Sequence, residues 1–268
     1  MNIVKPILAI AVSFLCLILN GQSVDSKTIS NLKSDCVIIV SNYPDIELKS
    51  WGGIEIKIES EVTINGKNHN GAYTLEIKNA SGGICIDAII NTELLKKKVI
   101  VNNEDGSKLY YDFDGFDNLN YEENDNVTMN IGYEIDAKIV ISVPKEMKVE
   151  TSTLYGDINS KGSFSTLKLN STYGMIEAEV AKMDKMEKLE LESTYDIIDL
   201  TIDPKLNANI SMSTSYGEVY SDLKLKSTSS TQRNHCGSNE SYIMNGGGLK
   251  INLVSTYDNI YLRSKKSL

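Results

Sequence analysis

Three carboxylates crowd into Asp112-Phe-Asp-Gly-Phe-Asp117, spaced as a hard cation such as Ca²⁺ requires of its oxygen ligands. The run lacks the further acid and the closing Glu of the helix–loop–helix Ca²⁺ site. A solvated acidic loop is therefore the plainer reading, with Asp112, Asp114 and Asp117 as the metal candidates. Residues 102–126 around them hold eight acids against Lys108. His235-Cys236 is a single pair in a Ser/Asn/Gly loop with no second pair at metal spacing. His69 lies between two turn signals. No Gly-rich phosphate loop, Gly-x-Ser-x-Gly elbow or His-rich zinc motif is present. Elongated β-helices can act as polysaccharide lyases through Asp grouped with Arg or Lys, yet this chain has only Arg233 and Arg263. No catalytic residue and no cofactor is assigned.

Tyrosine is the residue with a pattern. Tyr43, Tyr155, Tyr173, Tyr195, Tyr216 and Tyr257 share one template, as in Leu169-Asn-Ser-Thr-Tyr173-Gly-Met-Ile176 and Leu191-Glu-Ser-Thr-Tyr195-Asp-Ile-Ile198. Ser or Thr stands two before each Tyr, and Ile or Val three after. A large apolar residue usually stands four before, and Gly, Asp or, once, Pro follows. From Tyr155 onward the spacings are 18, 22, 21 and 41 residues. The last gap contains the polar stretch 227–248, which suggests one degenerate rung. Ile77 to Ile84 fits the same frame with Ser81 in place of Tyr.

A period near 20 residues marks a stack of similar units. Leu169, Ser171 and Tyr173 fall on one face of a strand, Gly or Asp supports a tight corner, and Ile176 continues the apolar face. The sequence therefore predicts an all-β, right-handed β-solenoid with rungs of about 20 residues, with an antiparallel sandwich as the alternative. Hairpin turns prefer Asn-Gly, Asp-Gly or a leading Gly, which Tyr-Gly, Tyr-Asp and Tyr-Pro do not supply. Strand parity predicts that the tyrosines form a buried ladder; outward rings would instead be a stacking surface for sugars. Pro44 cannot take positive φ, so the first corner is expected to differ.

Lys5, the apolar run from Ile7 to Leu19 and the small residues Gly21 and Ser23 read as a signal peptide over residues 1–23. Bulky Phe14 and Leu15 before Cys16 argue against a lipid anchor, and no later run is long enough to span a membrane. Residues 24–268 read as one domain, irregular over 24–143 and regular over 144–268. That part carries 26 basic against 36 acidic residues, a balance unsuited to nucleic acid. Cys36, Cys85 and Cys236 allow three alternative single bridges or none.

Asn42-Tyr-Pro-Asp-Ile-Glu-Leu-Lys-Ser-Trp51 with its flanking alternation, and Ile139-Val-Ile-Ser-Val-Pro144 leading into the tyrosine repeats, resemble bacterial "putative adhesin" domains, the group near auto-transporter adhesin head (GIN) domains. The resemblance covers most of residues 36–268. It implies a right-handed β-helix at the periplasm or cell surface, with no family residues to carry over. The function expected is a non-catalytic binding or adhesion scaffold of the cell envelope, its partner a glycan or a surface protein. The alternatives are a lyase-like carbohydrate-active enzyme and a structural envelope protein without a small ligand.

Overall fold

Along Thr166–Ser171 the side chains of Leu167, Leu169 and Ser171 are buried and Lys168 is exposed, the period of two of a half-buried strand. After a bend at residues 172–174, Ile176, Ala178 and Val180 are buried in the strand Ile176–Val180. One rung thus gives a strand to each of two sheets, and the apolar faces of both enclose the core. The computed structural model describes residues 12–19, 22–68, 71–80, 82–103, 105–112, 128–180, 185–228, 232–234 and 237–266; side chains of 12–19, 22–23 and 232–234 lie outside this description.

Rungs stack in parallel and in register. Leu167, Leu169 and Ser171 lie beside Leu189, Leu191 and Ser193, and these beside Ile251, Leu253 and Ser255. The second sheet repeats this, Ile158 beside Ile176, Ile176 beside Ile198 and Ile198 beside Ile260. Each apolar column fills the floor left by its neighbours, so no rung has a core of its own. At the far corner Phe164, Met147 and Met186 are buried and close the stack.

The stacking order departs from chain order. It runs Tyr43, Tyr155, Tyr173, Tyr195, Tyr257, Tyr216. After the Tyr195 rung the chain skips one position and lays Ala208–Thr214 and Val219–Ser221 at the end of the stack. Gly237–Met244 then pairs antiparallel with Ala208–Thr214 on its outer edge. Leu249–Ser255 and Ile260–Ser264 return to fill the vacant slot. The long last gap is this excursion and not a degenerate rung.

The first half is only partly irregular. Cys36–Ser41 and Asp45–Trp51 form a full rung against Lys148–Thr153 and Ile158–Gly162. Ile135–Pro144 runs parallel to Asp45–Trp51 and antiparallel to Ile56–Ile64, where the rung pattern gives way to a cap. The stretch from Ile77 to Ile84 is no rung: Tyr73–Ala80 and Gly83–Ile90 pair antiparallel as neighbouring strands, and Ser81 lies outside the described residues. Gly83 at the start of the second strand has φ of 151°, which glycine adopts readily. Lys98–Asn102, Lys108–Asp112 and Thr128–Gly132 form a separate three-stranded sheet. Val12–Leu19, inside the expected signal, pairs antiparallel with Gln22–Ile29 as an edge strand.

The protein is all-β, two-layered and solenoidal, with parallel pairing between rungs and antiparallel pairing confined to the ends. Cys36 and Cys85 are unbridged on neighbouring strands. Burial, followed by the nearby acids Glu150 and Asp35, raises the Cys36 thiol pKa; burial and then Asp87 raise that of Cys85.

Candidate binding surface

The corner explains the template residue by residue. In the Tyr173 rung the strand ends at Ser171, whose buried hydroxyl accepts the Gly174 N–H at 3.0 Å. Thr153 does the same for Gly156, Ser193 for Asp196 and Ser255 for Asp258, at 3.2–3.3 Å. Pro44 has no N–H, and there Ser41 donates to the Pro44 carbonyl instead. The serine hydroxyl and the backbone of residue 174 occupy the inside of the bend. The intervening tyrosine is therefore turned out, because strand parity does not continue through a corner.

Gly156, Gly174 and Gly217 are needed for close approach, not for unusual φ. None of the three has positive φ. A Cβ on Gly174 would stand 2.2 Å from the Gly156 carbonyl oxygen, and one on Gly156 2.1 Å from that of Pro44. Pro44 needs no positive φ at a corner of this kind, and its corner differs from the others in the direction of the hydroxyl's hydrogen bond. Asp196 and Asp258 turn by a second device, each carboxylate accepting the next residue's N–H at 2.7 Å.

All six rings stack face to face, five of them outside and Tyr43 half-buried against the core. Tyr155, Tyr173, Tyr195, Tyr257 and Tyr216 are 45, 46, 47, 49 and 61% exposed, which overturns the buried ladder. Centroids are 4.7–5.1 Å apart, and from Tyr155 to Tyr216 the planes differ by only 2–11°. The backbone enforces this spacing, since each tyrosine N–H donates to the carbonyl preceding the neighbouring tyrosine. Tyr173 bonds Leu154, Tyr195 bonds Thr172, Tyr257 bonds Thr194 and Tyr216 bonds Thr256, at 2.9–3.0 Å. Tyr43 ends the row with a 24° tilt, its hydroxyl beside Tyr133 and Thr92. Burial, then the bond to Tyr133, raises its pKa.

Acids border the rings on the side of the second sheet in two adjacent register positions, Asp45, Asp157 and Glu218 in one and Asp196 and Asp258 in the other. Asp45 accepts the Asp157 N–H and Asp157 the Met175 N–H, both at 2.8 Å, so these carboxylates are fixed by backbone. No ion pair involves any of the five among the described residues. Burial, then the Asp157 and Asp136 charges, raises the Asp45 pKa against the opposing pull of Lys138 and the Asp157 N–H. Farther out the acids are neutralised. Glu47 sits between Lys138 and Lys49, Glu179 between Lys161 and Lys265, and both titrate below their ordinary value because of these lysines.

The likeness to known structures lies in the fold. No family model matches the sequence, and no curated protein matches it. A "putative cell adhesion protein" from Clostridium sporogenes superimposes with a TM-score of 0.52 at 8% identity, covering 96% of this chain and all of that one. A "putative adhesin" from Bacteroides fragilis aligns over 90% of this chain and 97% of that one, at 9% identity and a TM-score of 0.29. The first match shows a shared overall fold across 96% of this chain.

Of the remaining sequence candidates only Asp112 and Arg263 have described side chains. Asp112 is exposed and pairs with Lys98 at 2.5 Å, which lowers its pKa. Asp114, Asp117, His69, His235 and Cys236 lie outside the described residues, as does the Arg233 side chain. Arg263 is held by both Asp199 oxygens at 2.7–2.8 Å and lies over the Tyr261 ring. Tyr261 stacks on Tyr220 at 5.3 Å, a second short ladder that sequence reading missed. Its signal was present, because Tyr220 and Tyr261 each follow a template tyrosine by four residues. Among the described residues no helix is long and apolar enough to cross a membrane, and no group of three His, Cys, Asp or Glu is placed to hold a metal.

Proposed function

We propose that this protein is an exported, non-catalytic binding or adhesion scaffold of the bacterial cell envelope, and that the outward tyrosine ladder is its contact surface. The observation that carries this reading is the exposure of five aligned rings along one edge. Aromatic side chains present large rigid area at little entropic cost, and tyrosine combines that area with a hydrogen-bonding group. A structural role alone would be served by the rings the core already has. The adhesin-like fold and the signal-like residues 1–23 agree with a protein working outside the cytoplasm.

Labelled protein incubated with intact bacterial cells and with a glycan array tests the proposal. The parent should be retained on at least one surface. A variant with Tyr155→Ser, Tyr173→Ser and Tyr195→Ser should fold and lose at least tenfold in retention. Equal retention by both proteins would remove the ladder from the function. Turnover of any polysaccharide, abolished by one acidic substitution, would contradict the non-catalytic reading. The exported form should begin near residues 21–24 by intact mass, and its protease sensitivity on whole cells reports which face it occupies.

A further inference from the structure

We infer that the ladder and its acid column take an extended 1,4-linked polymer of amino sugars with free amines, lying along the stack. This rests on the contact-surface reading above and names its ligand class.

Ring stacking decides how the surface can bind. Each internal ring spends both faces on its neighbours, so sugars cannot lie flat on Tyr155, Tyr173, Tyr195 or Tyr257. What faces outward is a comb of ring edges and phenol oxygens. The comb repeats every 4.7–5.1 Å and is nearly straight from Tyr155 to Tyr216. A partner that uses every tooth must repeat at the same step.

Polymer geometry then discriminates. In an extended peptide, side chains on one face recur at about 6.7 Å, so they fall out of step within two or three rungs. A 1,4-linked pyranose ribbon advances by about one rung per sugar, and its hydroxyls stay opposite the phenols. Charge narrows the choice further. Asp157, Asp196, Asp258 and Glu218 lie beside the comb with no ion pair among the described residues, which disfavours uronic or sulfated chains and favours ammonium groups. In a two-fold ribbon the amines return to one side at every second sugar, so alternate rungs supply their partners. The Tyr173 rung has Gly174 and Met175 where other rungs have an acid, a gap that such alternation tolerates.

Calorimetric titration of the purified protein with four hexamers tests this: β-1,4-linked glucosamine, its N-acetylated form, cellohexaose and hexalysine. The glucosamine hexamer should bind at least tenfold more tightly than the other three. Asp157→Asn, Asp196→Asn and Asp258→Asn together should weaken it at least tenfold. Glu59→Gln, Glu76→Gln and Glu187→Gln, an equal charge change away from the ladder, should not. Tyr173→Phe, Tyr195→Phe and Tyr257→Phe keep the rings and should still lose affinity. Equal binding of hexalysine, or of the control and acid-column variants, would reduce the effect to general attraction of polycations and overturn the assignment. Tight binding of cellohexaose would remove the amine from it. Should the glucosamine hexamer not bind while the serine variant still loses cell retention, the amino-sugar assignment falls and the ladder reading stands.

Discussion

Truncating Leu191 to alanine should destabilise the protein by roughly 2–5 kcal/mol, whereas Tyr195→Ala on the same rung should cost only about 1 kcal/mol. Leu191 is 1% exposed, between Leu169 and Leu253 in adjacent rungs, and its loss leaves a cavity that the rigid ladder on either side cannot close. Tyr195 is 47% exposed and loses two stacking contacts but little buried area. Chemical denaturation of both variants gives the comparison. A Tyr195→Ala cost equal to that of Leu191→Ala would put the ring back in the core.

Gly174→Val should cost about 2–3 kcal/mol, although the residue lies at a surface bend. Its Cβ would meet backbone at 2.2 Å, and neither atom belongs to a flexible side chain that could swing away. Relief requires the Tyr155 and Tyr173 rungs to separate, which stretches the Tyr173 N–H bond to Leu154 and the Ile158 N–H bond to Met175. Gly174→Asp should cost less, because its Cβ meets the same carbonyl but carries no second branch there, although the Met175 N–H is already bonded to Asp157. A thermal melt ranks parent, aspartate and valine; valine equal to parent would mean that the corners are wider than the 2.2 Å approach indicates.

The sequence pattern carried the parts of the fold that depend on period two. Ile46, Ile158, Ile176, Ile198 and Ile260 are all buried, and the Ser or Thr two before each tyrosine is buried too. Both follow from alternation within one strand and need no knowledge of neighbours. The orientation of the tyrosines was not legible by the same rule, since parity holds only while the strand continues and it stops at the serine. Recognising the hydroxyl as a cap on the N–H three residues later would have shown the bend before the ring. The acid column was equally hard to see. Its members stand one residue after some tyrosines and two after others, and only stacking brings these two positions side by side along one edge.

Rung order was the other loss. Spacings of 18, 22 and 21 residues suit consecutive rungs, and nothing in the last of these reveals a skipped slot. One hint lay in the corner chemistry. The two Tyr-Asp rungs, Tyr195 and Tyr257, are neighbours in the stack although Tyr216 lies between them in the chain. Like corners stack best on like, so corner type carried information that spacing did not.

That interposed rung gives the most direct test of the architecture, because among the tyrosine rungs chain order and stack order differ only there. With the native cysteines replaced by serine, Tyr195→Cys can be paired with Tyr257→Cys or with Tyr216→Cys. Adjacent parallel strands hold Cα atoms about 4.8 Å apart, within disulfide range, whereas two rungs span roughly twice that and exceed it. Mild oxidation followed by peptide mapping should therefore bridge residues 195 and 257 rapidly and leave the 195 and 216 pair reduced. A rapid bridge between 195 and 216, with 195 and 257 unreacted, would contradict the account and restore a stack in simple chain order.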